Sequence, residues 1–390
     1  MYDDESIYNI YRNVKSLFRT FENGVRALFF QTDQLQHLLS ALSSKGYNCI
    51  GPQVRDDAII YDELHTTDQL PQGFNDQQAP GSYTLSRNNS TKFFDWANGP
   101  QAIKPNLFSP REKIWQSEQA ADGAISFNTT EPDPRPIAII GARACDVAAM
   151  KIQDQHFLEQ EFIDPYYKTR RESLLVVAVN CSHPADTCFC YSTGDGPFVD
   201  DGADIVLTEL NQGFLIDAYT DQGKEILKAL TLLESTSEHI EQAESIKAKA
   251  SAQKRSLPAF EIKTRLFNEL NNDAWHEIAT KCLSCGNCTS VCPTCFCHSE
   301  TEVPELDGKS STHYRQWDSC FSQGHSYIHG ITIRSETSQR YRQWLTHKFA
   351  SWHEQYGRSG CVGCGRCITW CPVGIDVTES LKNFEERRRD

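Results

Sequence analysis

Two cysteine runs near the carboxyl end of the chain share one spacing, and this repeat limits what the chain can fold around. Each run reads Cys-x2-Cys-x2-Cys-x3-Cys-Pro, with cysteines at Cys282, Cys285, Cys288, Cys292, Cys361, Cys364, Cys367 and Cys371. In bacterial ferredoxins with this spacing, one tight loop supplies three thiolates to a [4Fe-4S] cluster and a separate segment supplies the fourth. The sequence therefore predicts two [4Fe-4S] clusters in this region.

The ligands of each cluster follow from the rule for two-cluster modules, in which the fourth cysteine of a run binds the other cluster. The ligands expected for cluster 1 are Cys282, Cys285, Cys288 and Cys371. Those expected for cluster 2 are Cys361, Cys364, Cys367 and Cys292. Glycines within the runs, at Gly286, Gly363 and Gly365, are expected to let the backbone turn close to the sulfurs. Two structural zinc sites are the alternative, because zinc also accepts paired Cys-x2-Cys ligands.

The middle of the chain contains four more cysteines: Cys145, Cys181, Cys188 and Cys190. Residues 136–158 read as a strand, a glycine turn and a helix, and residues 173–181 read as a second buried strand. Cys145 and Cys181 are thus expected at the carboxyl ends of neighbouring parallel strands, where open α/β sheets place ligands. Four thiols are enough for a third [4Fe-4S] cluster. A zinc site, or cysteines packed without metal, are the alternatives.

One of the four middle thiols could give way to another ligand, for which the nearby candidates are Asp146, His183 and Asp186. Three further cysteines follow the first run: Cys295, Cys297 and Cys320. They could build a further metal site or simply pack, and the sequence leaves both alternatives open. Cys49 lies in an apolar strand pattern and is expected in the core.

The remaining pattern predicts an α+β protein, with an α/β domain around a partly parallel sheet and a ferredoxin-like dicluster module. The α/β domain, with the third cluster site, is expected over residues 1–225 and a helical linker over residues 226–258. The module, with a helical insertion between its runs, is expected over residues 259–390. Residues 33–44 have leucines at helical spacing, whereas residues 66–135 are rich in turn-forming residues and read as long loops.

Composition limits where in the cell the protein is expected and which classes of partner it binds. No stretch approaches the roughly 20 apolar residues needed to span a bilayer, and the amino terminus has acids where a secretory signal is basic. A cytoplasmic protein is therefore expected, and abundant cysteine in that reducing compartment indicates metal or redox chemistry instead of disulfides. The net charge of -14 argues against nucleic acid as a general partner. Neither a phosphate-binding loop nor a G-x-G-x-x-G motif is found, so nucleotide binding is not indicated.

Several longer stretches resemble one family in the same order along nearly the whole chain. They are GPQVRDDAIIYDEL, LFSPRE, IIGARACDVAAM, TCFC with GDGP, CLSCGNCTSVCPTCFC, QWDSCFSQGH and SGCVGCGRCITWCPVGID. On these stretches the chain resembles the beta, iron-sulfur subunit of cytosolic NAD(P)-linked nickel-iron hydrogenases, or sulfhydrogenases. It is also similar to the A subunit of anaerobic sulfite reductase.

This resemblance implies electron transfer without catalysis by the chain itself. The implied donor is a flavin subunit that binds NAD(P)H, and the implied acceptor is a catalytic partner. That partner is either the small and large subunits of a nickel-iron hydrogenase or a sulfite reductase-type subunit. A second hypothesis is that the chain itself reduces sulfur species at a cluster with an open coordination site. Arg366, between two ligand cysteines, is expected either to tune a cluster or to face solvent.

Overall fold

The computed structural model describes residues 27–384, so the acidic amino terminus discussed above lies outside the described residues. The strands are β1 Leu28–Gln31, β2 Asn48–Arg55, β3 Ala58–Glu63, β4 Phe74–Ala79, β5 Ser82–Arg87, β6 Arg111–Gln119, β7 Ile125–Thr129, β8 Ile137–Ala142, β9 Leu174–Val179, β10 Ile205–Glu209, β11 Gly213–Ala218, β12 Leu233–Glu234, β13 His298–Pro304, β14 Ser310–Trp317, β15 Tyr327–Ile328 and β16 Ile331–Thr332.

The helices are α1 Leu35–Ser44, α2 Lys104–Leu107, α3 Ala144–Phe157, α4 Pro165–Glu172, α5 Cys190–Thr193, α6 Asp221–Leu227, α7 Ser237–Ser251, α8 Ile262–Asn268, α9 Ala274–Ala279, α10 Asn287–Ser290, α11 Thr337–Thr346, α12 Trp352–Tyr356, α13 Arg366–Thr369 and α14 Val377–Lys382. Short 3-10 turns lie at Thr32–Gln34, Thr67–Gln69 and Gly324–Ser326, and a π-helical turn at His347–Ser351 joins α11 to α12. Among the described residues, no helix is long and apolar enough to cross a membrane.

A partly parallel sheet organises the first half of the described chain. Within residues 27–384 it has eight strands in the order β12-β1-β11-β10-β9-β8-β2-β3. The four central strands β10, β9, β8 and β2 run parallel, and the strands on both flanks pair antiparallel. Every side chain of β9 is buried, as expected for a parallel strand covered on both faces. The predicted mixed α/β fold with a partly parallel sheet is confirmed.

The same sheet brings two of the predicted ligand positions to one edge. Strand β8 ends at Ala142, and α3 begins at Ala144 with Cys145 in its first turn. Its parallel neighbour β9 ends at Val179, and Cys181 follows two residues later. Because parallel strands end at the same edge, both cysteines lie on the side of the sheet where α/β proteins bind ligands.

Residues 66–135 are more regular than the loop prediction, because they contain strands β4 to β7. Strands β6 and β7 join β13 and β14 in an antiparallel sheet of the order β13-β14-β6-β7. This sheet pairs residues 111–129 with residues 298–317, from either side of the predicted linker. Such pairing between distant segments leaves no local signal in a polar sequence.

The helical segment between the cysteine runs packs inward. Tyr341, Trp344 and Phe349 are buried and share a core with Phe321 and Trp275. Tilted contacts join Trp344 to Phe321 and to Tyr341, and Phe321 meets Tyr341 edge-on, which stabilises a core beyond the area that it buries. This segment therefore supports the dicluster region from the inside.

A buried ion-pair group fastens the four-stranded sheet to the helices beside the large sheet. The Glu112 carboxylate on β6 pairs with Arg170 of α4 and with Arg315 of β14, whose Nη2 lies 2.9 Å from Glu112 Oε2. Arg315 also pairs with Asp164 at the start of α4. The Glu112 side chain is only 6% exposed, so these guanidinium groups, and not water, compensate its charge.

Replacing Glu112 by Gln should lower the free energy of unfolding by about 3 kcal/mol, because it leaves two guanidinium groups facing a neutral amide. The control is Asp62→Asn in the Arg55–Asp62 pair, where the side chains are 60% and 36% exposed. Exposed pairs contribute about 0–1 kcal/mol. Urea denaturation followed by circular dichroism under argon measures both. Equal losses in the two variants would contradict the assigned role of Glu112.

Candidate metal centres

The four cysteines predicted for cluster 1 line one cavity, called here the cluster-1 cavity. Cys282, Cys285 and Cys288 line it from the first run, and Cys371 closes it from the second. The remaining wall is apolar and includes Phe321, Tyr341 and Trp344. A largely apolar cavity that presents thiols from two segments has the donor set and the surroundings that a [4Fe-4S] cluster requires.

Main-chain N–H groups already point at sulfurs of this region. Ser284 N donates to Cys282 Sγ at 3.4 Å, and Ile375 N donates to Cys371 Sγ at 3.3 Å. In the second run, Gly363 N donates to Cys361 Sγ at 3.4 Å. Such hydrogen bonds stabilise a thiolate and are among the features that set a cluster's potential.

The second predicted set, Cys361, Cys364, Cys367 and Cys292, forms what is called here the cluster-2 group. Burial raises the pKa of Cys367, and the thiolates of Cys361, Cys364 and Cys292 raise it further. Burial likewise raises the pKa of Cys361 to about 12. Since metal binding requires thiolates, an empty group of buried thiols is costly to ionise, and a bound metal supplies the compensating charge.

The middle cysteines meet at the edge of the large sheet, as the strand pattern predicts. One cavity, called here the sheet-edge cavity, is lined by Cys145, Cys181, Cys188 and Cys190. Burial raises the pKa of Cys190 to about 12, and Gln253 Nε2 from the segment after α7 donates to its sulfur at 3.1 Å.

The three alternative ligands do not line this cavity within the described chain, and each has another partner. Asp146 accepts from Asn98 Nδ2 at 2.7 Å and pairs with Arg366. Asp186 pairs with Lys254, and His183 contacts Asp76. Cysteine sulfurs are therefore the donors that face the sheet-edge cavity.

Two cysteines of the cluster-2 group connect the three sites. Cys367 also lines the cluster-1 cavity. Cys364 also lines the sheet-edge cavity, and its carbonyl accepts a long contact from Cys188 Sγ at 3.8 Å. The cluster-2 group thus borders both of the other sites.

The last three cysteines do not share one cavity. Cys295 and Cys297 line a polar cleft with Lys104 and Cys285, whereas Cys320 is absent from that lining. Hydrogen bonding from the Cys295 thiol lowers the pKa of Cys292. Hydrogen bonding to Cys297, assisted by Asp318, raises the pKa of His325. Cys49, predicted in the core, is 2% exposed in β2.

Within residues 27–384, no group of three or more His, Cys, Asp and Glu side chains is arranged to hold a single metal ion. The thiols of the two cavities surround a space instead of converging on one point. In a [4Fe-4S] site the iron and sulfide atoms occupy the space between the cysteine sulfurs. The residues of these cavities fit a cluster in that respect.

Sequence reasoning did not identify Lys348 and Lys104, two buried cations near the thiols, and it left open whether Arg366 faces solvent. Arg366, which could have faced solvent, is 1% exposed, and its Nη2 lies 2.8 Å from Asp146 Oδ1. Lys348 and Lys104 are 5% and 6% exposed. Burial lowers the pKa of Lys348, but the thiolates of Cys292, Cys295 and Cys361 outweigh it and the net direction is upward. Only aromatic residues at helical spacing around Lys348 could have indicated that its helix is buried.

Comparison with known proteins agrees with this geometry. The 4Fe-4S dicluster domain family matches residues 281–375, which indicates two [4Fe-4S] clusters. The sulfhydrogenase 2 subunit beta of Pyrococcus furiosus is 30% identical over 338 residues, which cover 84% of this chain and 98% of that protein. The chain belongs to the sulfhydrogenase beta-subunit family.

Membership of the sulfhydrogenase beta-subunit family confirms the resemblance inferred from the sequence and extends over both halves of the fold. The match covers 84% of the chain and therefore includes the middle of it, where the sheet-edge cavity cysteines Cys145, Cys181, Cys188 and Cys190 lie. The dicluster match likewise confirms the predicted module after the large sheet.

Glycine is required at position 363, where the backbone of the second run meets the backbone at Phe189 and Cys190. Its φ is +63°, and a Cβ there would lie 2.5 Å from Cys190 N. Gly363→Ala should therefore lower the free energy of unfolding by more than the roughly 1 kcal/mol of a left-handed alanine and should reduce the iron bound per chain. Gly357→Ala is the matched control, because its φ is +72° and a Cβ meets nothing within 4 Å. Equal stability and iron in the two variants would contradict this role.

Proposed function

We propose that this chain transfers electrons within a sulfhydrogenase-like complex. The donor is a flavin- and NAD(P)H-binding reductase subunit. The acceptor is the small and large subunits of a nickel-iron hydrogenase or a sulfite reductase-type catalytic subunit. Each [4Fe-4S] cluster, when bound, takes up and releases one electron at a time. The main supporting observation is the sharing of Cys367 and Cys364 between neighbouring sites.

The proposed ligand sets are those of the spacing rule. Cys282, Cys285, Cys288 and Cys371 hold cluster 1, and their shared cavity supports this set. Cys361, Cys364, Cys367 and Cys292 hold cluster 2, supported by the mutual effects on the pKa values of these thiols.

A third [4Fe-4S] cluster in the sheet-edge cavity completes the proposal. Its ligands are Cys145, Cys181, Cys188 and Cys190. Four facing thiols favour a fully cysteine-bound cluster over a site with an open coordination position. The observation thus supports electron transfer over sulfur chemistry performed by this chain.

The proposed surface of electron exchange with a partner lies at the cluster-1 cavity. Cys285 is exposed there, and Leu283 beside it is 63% exposed. Val373, also on the cavity wall, is 38% exposed. An apolar rim around an accessible ligand suits a contact with another subunit.

We also propose the organisation expected from the sequence: an α/β domain over residues 1–225, a helical linker over residues 226–258 and the dicluster module over residues 259–390. Helix α7 supports a helical linker, and Gln253 in the segment after it contacts Cys190. The proposed location is the cytoplasm, where free thiols remain reduced until they bind metal.

Anaerobically purified protein should contain about twelve iron and twelve acid-labile sulfide atoms per chain, as three [4Fe-4S] clusters require. Cys188→Ser should remove about four of each, because it deletes one thiol of the sheet-edge cavity. The control is Cys49→Ser, whose hydroxyl can meet Ser43 Oγ, 3.9 Å from the present sulfur, and which should keep all the iron. About eight irons in the unaltered chain would contradict the third cluster and leave the dicluster module intact.

The isolated chain, reduced by dithionite and freed of excess reductant, should pass its electrons to an oxidised viologen dye. In a separate assay with a reduced dye as continuous electron source, it should show no turnover with sulfite or polysulfide as acceptor, because no cluster in this proposal has an open coordination site. Absorbance of the reduced chain and of the dye follows the transfer, and sulfide assay follows turnover. Catalytic sulfide release by the isolated chain would favour the second hypothesis, in which this chain reduces sulfur species.

A further inference from the structure

Lys348 is a buried cation at a position where the helix is irregular. Its side chain lies in the π-helical turn His347–Ser351, between α11 and α12, and the residue is 5% exposed. Single π-helical turns are uncommon and occur frequently at functional sites. The next two residues of the turn, Phe349 and Ala350, belong to a buried apolar core, whereas Lys348 is a buried charge.

The contacts of the Lys348 ammonium converge on the cluster-2 group. Its Nζ lies 3.4 Å from Cys292 Sγ and 2.8 Å from Thr294 Oγ1. It also donates to Gly360 O at 3.3 Å, the carbonyl immediately before Cys361. One ammonium therefore contacts a proposed cluster ligand and the segment that begins the second run.

Lys348 has no carboxylate within ion-pair distance in the described part of the chain, and the charged or polarisable partner nearest its Nζ is the sulfur of Cys292 at 3.4 Å. Arg366, the other fully buried cation at this group, differs because it pairs with Asp146 at 2.8 Å. An unpaired buried ammonium is strongly unfavourable unless a nearby anion compensates it. The anion that Lys348 contacts is a cysteine sulfur.

Lys104 provides a useful contrast. Its Nζ donates to the main-chain carbonyl of Cys292 at 3.3 Å and lies 3.7 Å from the centre of the Trp317 ring. It thus approaches the same cysteine through the backbone, whereas Lys348 contacts the sulfur itself. Both ammonium groups lie over an indole ring, that of Lys348 at 5.1 Å from the centre of the Trp352 ring. Of these two lysines, Lys348 is the one whose charge bears directly on the electrons of a cluster ligand.

We propose that the Lys348 ammonium is the counter-charge of cluster 2 and holds the reduction potential of that cluster higher than a neutral side chain would. This inference rests on the proposed function, which assigns Cys361, Cys364, Cys367 and Cys292 to cluster 2. One electron from dithionite, or from the donor subunit, adds one negative charge to the site, and no bond forms or breaks. A cation in contact with a ligand sulfur stabilises the more negative, reduced form more strongly than the oxidised form.

The test compares potentials in the full chain. Lys348→Met removes the charge and keeps most of the side-chain volume, Lys348→Arg keeps the charge, and Lys224→Met removes a lysine that is 61% exposed on α6. Cys361→Ser identifies which electron paramagnetic resonance signal belongs to cluster 2. Redox titration of that signal then gives the potential of each variant, together with iron content.

The expected result is at least a tenfold lower ratio of reduced to oxidised cluster 2 in Lys348→Met at a fixed solution potential, a shift of about 59 mV for one electron. Lys348→Arg and Lys224→Met should remain near the unaltered chain. An unchanged potential in Lys348→Met with full iron would overturn this proposal and leave the proposed function intact.

Cluster loss would be decisive as well. Loss of the cluster-2 iron in Lys348→Met alone, with Lys348→Arg fully loaded, would support a requirement for the charge. Its loss in both variants would show that shape matters and would overturn the counter-charge. If the unaltered chain and Cys361→Ser contain the same amount of iron, cluster 2 is not bound through Cys361. That result would overturn both the cluster assignment and this inference.

Discussion

The second cysteine run lies in close contact with the loop around Thr187 and Phe189 at the edge of the large sheet. This contact determines which cysteines the neighbouring thiol sites share. Phe189 N donates to Gly363 O at 2.8 Å, and a Cβ on Gly365 would lie 2.6 Å from Thr187 O. Only glycine permits this separation with a positive φ. Because the backbones touch, Cys364 reaches the sheet-edge cavity while Cys367 reaches the cluster-1 cavity.

Ionising so many buried thiols is unfavourable without metal and becomes favourable when metal is bound. Desolvation raises the pKa of Cys145, Cys288 and Cys367, so ionising these thiols requires a positive charge nearby. The chain supplies two kinds of buried cation at this place. Arg366 is balanced by Asp146, and its pair also fastens α13 to α3. Lys348 lacks such a carboxylate in the described chain and contacts the sulfur of Cys292. Its charge is therefore the one that acts on a proposed cluster ligand.

Much of the fold was predictable where local patterns are strong. The leucine spacing of α1 and the apolar runs of β8 and β9 indicated the elements that the structure contains. The apolar stripe of residues 260–281 is typical of one amphipathic helix, but the structure divides this segment into α8 and α9, where Asn272 Oδ1 accepts from Ala274 N. Side chains such as asparagine compete with the backbone for hydrogen bonds, and an apolar stripe does not reveal that competition. The strands between residues 66 and 135 were missed because their partners are distant in sequence.

The sequence by itself determined that the chain carries two ferredoxin runs, because their ligand spacing is local and has few other uses. It also indicated that Cys145 and Cys181 would lie at one edge of a parallel sheet. Only the tertiary structure decided that Cys364 borders the sheet-edge cavity and that Lys348 contacts Cys292. These contacts join segments 56 or more residues apart. Their geometry depends on how the two parts of the fold pack together, and no spacing along the chain encodes that packing.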